Sequence, residues 1–511
     1  MGRPMTDTAQ RDSGNTRVVL LAVLAAGFLF RFLPLLFWHS IAQADEIFQA
    51  VEQGHRLAYG YGLVPWEFDY AARSWLLAYL SAGAMRLSDL FGGGPQIYLP
   101  LIAAFLSALG AVTTLCTFLW ARRFMGTAAG IAAALVSASW VDNMFFGGRT
   151  LTEAVAGNLF VIAIYLAEPG YRVEHRGRLF AAGLFAGAAL VLRIHLAPAI
   201  ALLWLWRGFD TRRFVFLSLG ALLIVACDGA FDALTWNYPF EPIWLNIKFN
   251  LFQHGSENFG TDPWWEYFYW MGANWGGTIA IFLPLAFLGG RRVPFVLVSA
   301  FLIVFVHSFI GHKEYRFVYP AVLLFSIAAG IGAVEAARIL THGWRDGARN
   351  PARVSIVAVC AIWWGLLVFV NLIGRDYEKQ WDRAHNSAEA ALYVSGMHDV
   401  CGIGLNRVGN YESGGYAYFH KRVPLYWKNE RSWKVMEKSA AFNVMLYSGK
   451  DASPRALLAT NTPYRKIACF KDVCVMRRPG GCAKLPMRKR PQVGEISADA
   501  TKGYPYVAGV D

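Results

Sequence analysis

The chain has 511 residues, of which 56% are hydrophobic and only 16% charged. Soluble domains carry about a quarter charged residues, so the composition excludes an ordinary water-soluble protein and indicates a polytopic membrane protein. The net charge of +13 would point a soluble chain toward nucleic acid, but most basic residues here lie in short loops between apolar runs, where they set topology, and nucleic acid is excluded as a partner.

Apolar runs of membrane length fall at 18–38, 97–120, 127–140, 152–168, 178–206, 214–231, 275–289, 293–310, 317–336 and 352–373. Trp38, Trp140, Trp236, Trp264 and Trp265 stand at their ends, where interfacial belts place aromatics. Arg3, Arg11 and Arg17 put the N-terminus inside, and the arginine-rich loops at 122–123, 172–178, 207–213, 291–292 and 338–353 follow. Residues 40–74, 141–151, 232–274, 312–316 and everything after 374 then lie outside. Both flanks of the run 178–206 are basic, so it must cross twice or re-enter, with His195 and Pro198 as turning points. The segment 75–91, with Arg73 before it and Arg86 and Asp89 within it, suits an amphipathic helix on the outer surface. The expected count is about 11 transmembrane helices. The first run is too long for a secretory signal and is interrupted by Arg31, so it is expected to remain as a span although Ala42-Gln43-Ala44 resembles a cleavage site.

Polarity divides the chain into a membrane domain, 1–373, with outer loops 40–96 and 232–274, and a more polar extracytoplasmic domain, 374–511. In the latter, Arg465–Phe470 and Val473–Arg477 alternate about Lys471-Asp472 and predict a hairpin. Ala440–Tyr447 suits helix or strand, and the last 20 residues suit disorder, so a small mixed α/β domain is expected. Cys116, Cys227 and Cys360 read as packing residues, while Cys401, Cys469, Cys474 and Cys482 fall outside, where oxidation can pair them in a connectivity that spacing does not fix. No Asn-x-Ser/Thr acceptor occurs, which favours a bacterial inner membrane over the endoplasmic reticulum.

The chemistry gathers on the predicted outer face. Ala44-Asp45-Glu46 opens a stretch that runs on through Glu52, His55, Trp66, Glu67 and Arg73. A partly desolvated carboxylate there is a competent general base for a sugar hydroxyl, although Asp45 equally suits a helix cap. Gly147–Glu153 places Arg149 just outside one span and Glu153 just inside the next, where a carboxylate needs a partner or a polar cavity. His312-Lys313-Glu314-Tyr315-Arg316 packs three potential cations against a bilayer edge and suits the phosphate of a lipid head group, unless Glu314 neutralises Lys313 or Arg316. The loop 228–270, with Asn250, His254 and Trp264, has the mixture of amides, imidazole and aromatic rings that sugars require.

Asp45-Glu46-x-x-Gln49-x-x-Glu52-x-x-His55, Trp66-Glu67, Arg149-Thr150, His254-Gly255 and His312-Lys313-Glu314-x-Arg316-Phe317-x-x-Pro320 together resemble glycosyltransferase family twenty-two, the lipid-linked mannosyltransferases of GT-C fold, over about residues 18–340. Within the family the resemblance is to transferases that add the third mannose of glycosylphosphatidylinositol anchors. It implies an inverting α-mannosyltransferase that takes mannose from a polyprenyl- or dolichyl-phosphate donor to a glycan or glycolipid acceptor, with no metal and no other cofactor. Asp45 and Glu46 would be catalytic. His312, Lys313, Arg316 and Arg149 would hold the donor phosphate, and His55, Glu67, Trp66, Asn250, His254 and Trp264 would meet the sugars. Another lipid-phosphate sugar, arabinose or glucose, is the alternative within the fold. A transporter is disfavoured, because its charges would spread through the bilayer depth.

Overall fold

The computed structural model describes residues 6–168, 176–207, 211–342, 363, 379–409, 411–427, 440–449 and 464–483. Apart from Trp363, the expected run 352–373 lies outside the described residues, as do Cys360 and the last 20 residues. The chain forms two compact units, residues 1–34, 103–231 and 259–377 in one and 35–102, 232–258 and 378–511 in the other. Polarity alone places one boundary at 373/374. Grouping by contact instead joins 35–102 and 232–258 to the polar tail.

The first unit is helical. Among the described residues five helices are long and apolar enough to cross a membrane, at Thr16–Phe37, Pro95–Met125, Thr211–Thr235, Glu266–Gly290 and Tyr315–Leu340. Four shorter apolar helices accompany them among the described residues, at Thr127–Ala138, Thr152–Ala167, Ile194–Trp206 and Pro294–Ser308. The run read as 275–289 thus begins earlier, and several expected spans are too short to cross alone. The 12 residues of Thr127–Ala138 rise only about 18 Å. The run 178–206, expected to cross twice or re-enter, is broken into Arg176–Leu192 and Ala197–Arg207 by a 3₁₀ turn at Ile194–Leu196, which contains His195. Tyr319–His342 is the central helix, packed on Ile279–Gly290, Thr127–Ala138 and Pro294–Ser308. Its closest approach needs glycine: a Cβ on Gly332 would lie 1.8 Å from Leu285 O, and one on Gly289 1.9 Å from Ala328 O. Small residues at such a crossing let backbones touch in lipid, where no hydrophobic driving force separates helix from solvent. Arg31, buried in this unit, donates its Nη1 to Gly27 O (2.8 Å) and Thr114 Oγ1 (3.0 Å).

The second unit combines short helices with a five-stranded sheet of β1 (Ile403–Asn406), β2 (Leu425–Trp427), β3 (Val444–Ser448), β4 (Arg465–Phe470) and β5 (Val473–Arg477). The order is β2-β1-β3-β5-β4. β1 runs parallel to β2 and β3, while β5 runs antiparallel to β3 and β4, so the predicted hairpin is present, and of the stretch 440–447 only the part from Val444 on is strand. Helix His385–Ser395 covers β3, β4 and β5. Disulfides join Cys401 to Cys482 and Cys469 to Cys474. The segment expected to be an amphipathic helix forms Leu76–Asp89, which buries Leu77, Ala78, Ser81, Ala82 and Met85 and exposes Leu76, Tyr79, Leu80 and Leu87.

Candidate active site

In the second unit the acid cluster is built by one unusual stretch of backbone. Helix Ala44–Glu46 passes into a π-turn, Ile47–Val51, and then into helix Glu52–Tyr59. A π-turn inserts a residue and re-phases the helix faces, a device frequent at functional sites. Four carboxyls result, and their environments differ. Glu46 is buried, and its Oε2 accepts the N–H of Ala42 at 2.8 Å. The cap role allowed for Asp45 therefore belongs to Glu46, which reaches back to a residue ahead of the helix. Glu67 is buried and accepts Gln49 Nε2 at 2.9 Å. Burial first, and then the charge of Asp45, raise its carboxyl to about 7. Glu52 is wholly buried. Asp45 alone of the four is half-exposed.

The aromatic and amide residues expected around the sugars divide. Trp66 packs its ring on Phe249, centroids 4.5 Å apart. The Asn250 amide donates to Asn246 O and Oδ1 within the π-turn Lys248–Phe252. His254 is exposed, with positive φ, beside Glu257 at 2.8 Å. His55, expected at the acceptor, is instead a core residue: it is wholly buried, with Nδ1 3.0 Å from Tyr61 O and Nε2 3.1 Å from His420 Nδ1. Burial lowers it to about 3, so it packs as neutral imidazole.

The cationic cluster belongs to the first unit. Arg316 donates Nε and Nη2 to Glu314 (2.8 and 3.1 Å), and its Nη1 lies 3.3 Å from Glu153. The internal pairing weighed for Glu314 is thus present, through Arg316 rather than Lys313, and His312 Nε2 also lies 3.3 Å from it. Burial works against the Glu314 carboxylate, but Arg316 and His312 override it and hold it well below the usual carboxylate range. Burial likewise opposes the His312 cation, and bonds to Glu314 and Gly260 O outweigh it and raise its pKa. Lys313 is buried, and its Nζ donates to Ile310 O (2.5 Å) and Asp262 O (2.9 Å). Arg149 donates Nε to Phe145 O (2.8 Å) with its guanidinium 4.2 Å from the Phe145 ring centroid. Trp264, in the same unit, is exposed at 64%, as an interfacial anchor requires.

Sequence reasoning missed Arg193. It stands at the break after helix Arg176–Leu192, with its Nη2 2.9 Å from Glu153. Glu153, 1% exposed, therefore ties Arg193 to Arg316. Both guanidiniums also lie against Phe317, 5.0 and 4.9 Å from its centroid. The signal was a charge inside the apolar run 178–206, which needs a partner in a membrane.

A family profile described as the Alg9-like mannosyltransferase family matches residues 20–375, a stretch that contains every residue of both clusters except His420. The chain belongs to that family. Among its relatives, the GPI mannosyltransferase 3 of Yarrowia lipolytica is 31% identical over 330 residues, covering 61% of this chain and 62% of that protein. The human GPI alpha-1,2-mannosyltransferase 3 is 24% identical over 297 residues, 54% of this chain and 51% of the relative. The alignments thus span less than two thirds of the length of these curated relatives. Among solved structures, ArnT from Cupriavidus metallidurans bound to undecaprenyl phosphate superposes with a TM-score of 0.58, covering 90% of this chain and 98% of that one at 13% identity. At that identity the likeness concerns the fold, which for this Alg9-like chain is the helical GT-C membrane fold with a small C-terminal sheet domain.

Proposed function

We propose that this Alg9-like protein is an inverting α-mannosyltransferase. It takes mannose from a polyprenyl- or dolichyl-phosphate donor and adds it to a glycan or glycolipid hydroxyl on the outer face of its membrane. The observation that carries the reading is the asymmetry of the acid cluster. Glu46 is spent as a cap, Glu52 and Glu67 are buried, and Asp45 is the carboxyl with access to solvent. Burial, and then the charge of Asp45, raise Glu67 to about 7, so it stands part-protonated beside Asp45 near neutral pH.

In this reading the acceptor oxygen attacks the anomeric carbon, the bond from that carbon to the phosphate oxygen breaks, and Asp45 receives the hydroxyl proton. The phosphate departs with the bonding electrons. Lys313, Arg316, His312 and Arg149 stabilise it, and Glu153 with Arg193 holds Arg316 in place. A phosphate leaves without general-acid help, so catalysis reduces to positioning and preorganised positive charge. Fixed cations supply that charge, and the reaction requires no metal. Trp66, Glu67, Asn250, His254 and Trp264 serve the sugars. Purified protein given a β-linked polyprenyl-phosphate mannose should form a product that α-mannosidase digests, at a rate unaffected by chelator. A β-linked product, or loss of transfer on chelation restored by a divalent ion, would contradict the mechanism.

A further inference from the structure

Glu52 belongs to the acid motif, yet the mechanism above gives it no task. Its side chain is fully buried, and burial raises its carboxyl to about 7 against the main-chain amides it meets and the charge of Arg56. Both carboxyl oxygens meet main chain. Oε1 accepts the N–H of Leu63 at 2.7 Å and of Tyr416 at 3.2 Å, and Oε2 accepts the N–H of Ala417 at 2.8 Å. The grip on Ala417 is two-sided, because the Tyr98 hydroxyl donates to its carbonyl. The backbone is shaped to let the carboxylate in. A Cβ on Gly415, which has φ +61°, would lie 2.8 Å from Oε2, and one on Gly62 would lie 3.1 Å from Oε1 and 2.4 Å from Arg56 Cγ. A buried carboxylate that accepts several amides is costly to remove, since each amide is then left without an acceptor.

What the bonds join is informative. Leu63 belongs to the loop that runs directly into helix Trp66–Asp69, which carries Glu67, the carboxyl that feels Asp45. Glu52 itself follows Asp45 through the π-turn. Tyr416 and Ala417 belong to the tail, beyond the family-matched residues 20–375. The same unit repeats the pattern at the other end of the segment: Ile41 N–H donates to Arg383 O (3.1 Å), Trp38 Nε1 donates to Trp381 O (2.9 Å), and His39 meets Glu389 at 2.7 Å.

We propose that Glu52 is a positioning residue of the acid centre, fastening the Glu67-bearing segment to tail residues 415–417 and so making that part of the tail a component of the working enzyme. The proposal rests on the transferase reading. It is separable from it, because the grip can be observed without turnover. Amide hydrogen exchange at Leu63, Tyr416 and Ala417 should be slow in the intact protein in detergent or nanodiscs, and in Glu52→Gln at least 100-fold faster either at Ala417 or at Leu63 and Tyr416, whichever set loses its acceptor. The amide side chain of Gln has one acceptor oxygen where the carboxylate has two. Exchange at wild-type rates in that variant overturns the grip whether or not the protein transfers mannose.

In the transfer assay, Glu52→Gln should lower kcat at least tenfold and leave the donor KM within threefold. A residue that merely supports folding would reduce the active fraction and melting temperature instead. Gly415→Ala attacks the same bonds from the tail and should lower kcat in the same way. The double variant should be no slower than the slower single variant, because both changes break one connection. Should Glu52→Gln not fold, Gly415→Ala decides alone: reduced kcat at unchanged donor KM supports the role, and wild-type kcat overturns it. Multiplicative losses in the double variant would also overturn it.

Discussion

Asp45→Asn is expected to retain expression, membrane insertion and donor binding while losing about 10³-fold in kcat, within the range general-base catalysis contributes. Asp45 is half-exposed and asparagine is nearly isosteric with it, so the variant should fold. The neighbouring Glu67 is the natural substitute, but burial and the charge of Asp45 raise its carboxyl to about 7. Removing the Asp45 charge removes one of those two causes, so Glu67 should ionise at lower pH in the variant. Any residual rate should therefore increase toward alkaline pH as Glu67 takes over the proton. Transfer within tenfold of wild type at neutral pH would move the base role to Glu67 or Glu46.

Arg316→Ala is expected to lower kcat/KM for the lipid-phosphate donor by about 10²-fold, with the acceptor KM nearly unchanged, since preorganised charge at a leaving group contributes on that scale. The structure adds a second consequence. Arg316 sits between Glu314 and Glu153, both largely buried, so its removal leaves Glu314 with His312 and Glu153 with Arg193. Taking one partner from a buried ion pair costs about 3–5 kcal/mol, and a lower melting temperature should accompany the kinetic loss. Arg316→Lys keeps the charge but not the fork that reaches two carboxylates, so it should recover donor affinity only in part. Initial rates over a donor titration separate these outcomes, and an unchanged donor dependence in Arg316→Ala would remove Arg316 from the phosphate role.

Much of the architecture was legible because it depends on periodicity and charge. The interruption of 178–206 followed from its basic flanks, and the hairpin at 465–477 from strict alternation around Lys471-Asp472. The family signature was legible because His312-Lys313-Glu314 and Arg316 crowd ionisable groups into a place where each requires a partner. The pairing of Glu314 with Arg316 was weighed from sequence, but the distant partners were not legible: Glu153 takes Arg193, 40 residues on, and Arg316, 163 residues on. His55 looked like an acceptor contact because it closes the acid motif, but its spacing equally places it in the core against His420, 365 residues further on. Likewise no local pattern distinguishes Glu46 as the cap from Asp45, since adjacent acids at a helix start are equivalent until the backbone ahead of them is known. The tail was read as a separate domain from polarity alone, although contacts join it to residues 35–102 in one unit.

The roles given to both clusters turn on the identity of the donor. Purified protein in liposomes with a glycolipid acceptor should be given labelled polyprenyl-phosphate mannose, and in parallel labelled GDP-mannose with conversion to the lipid form blocked. Transfer of label from the lipid-phosphate sugar and none from GDP-mannose is the predicted result. Direct transfer from GDP-mannose would contradict the assignment of the cations at 312–316 to a lipid-borne phosphate.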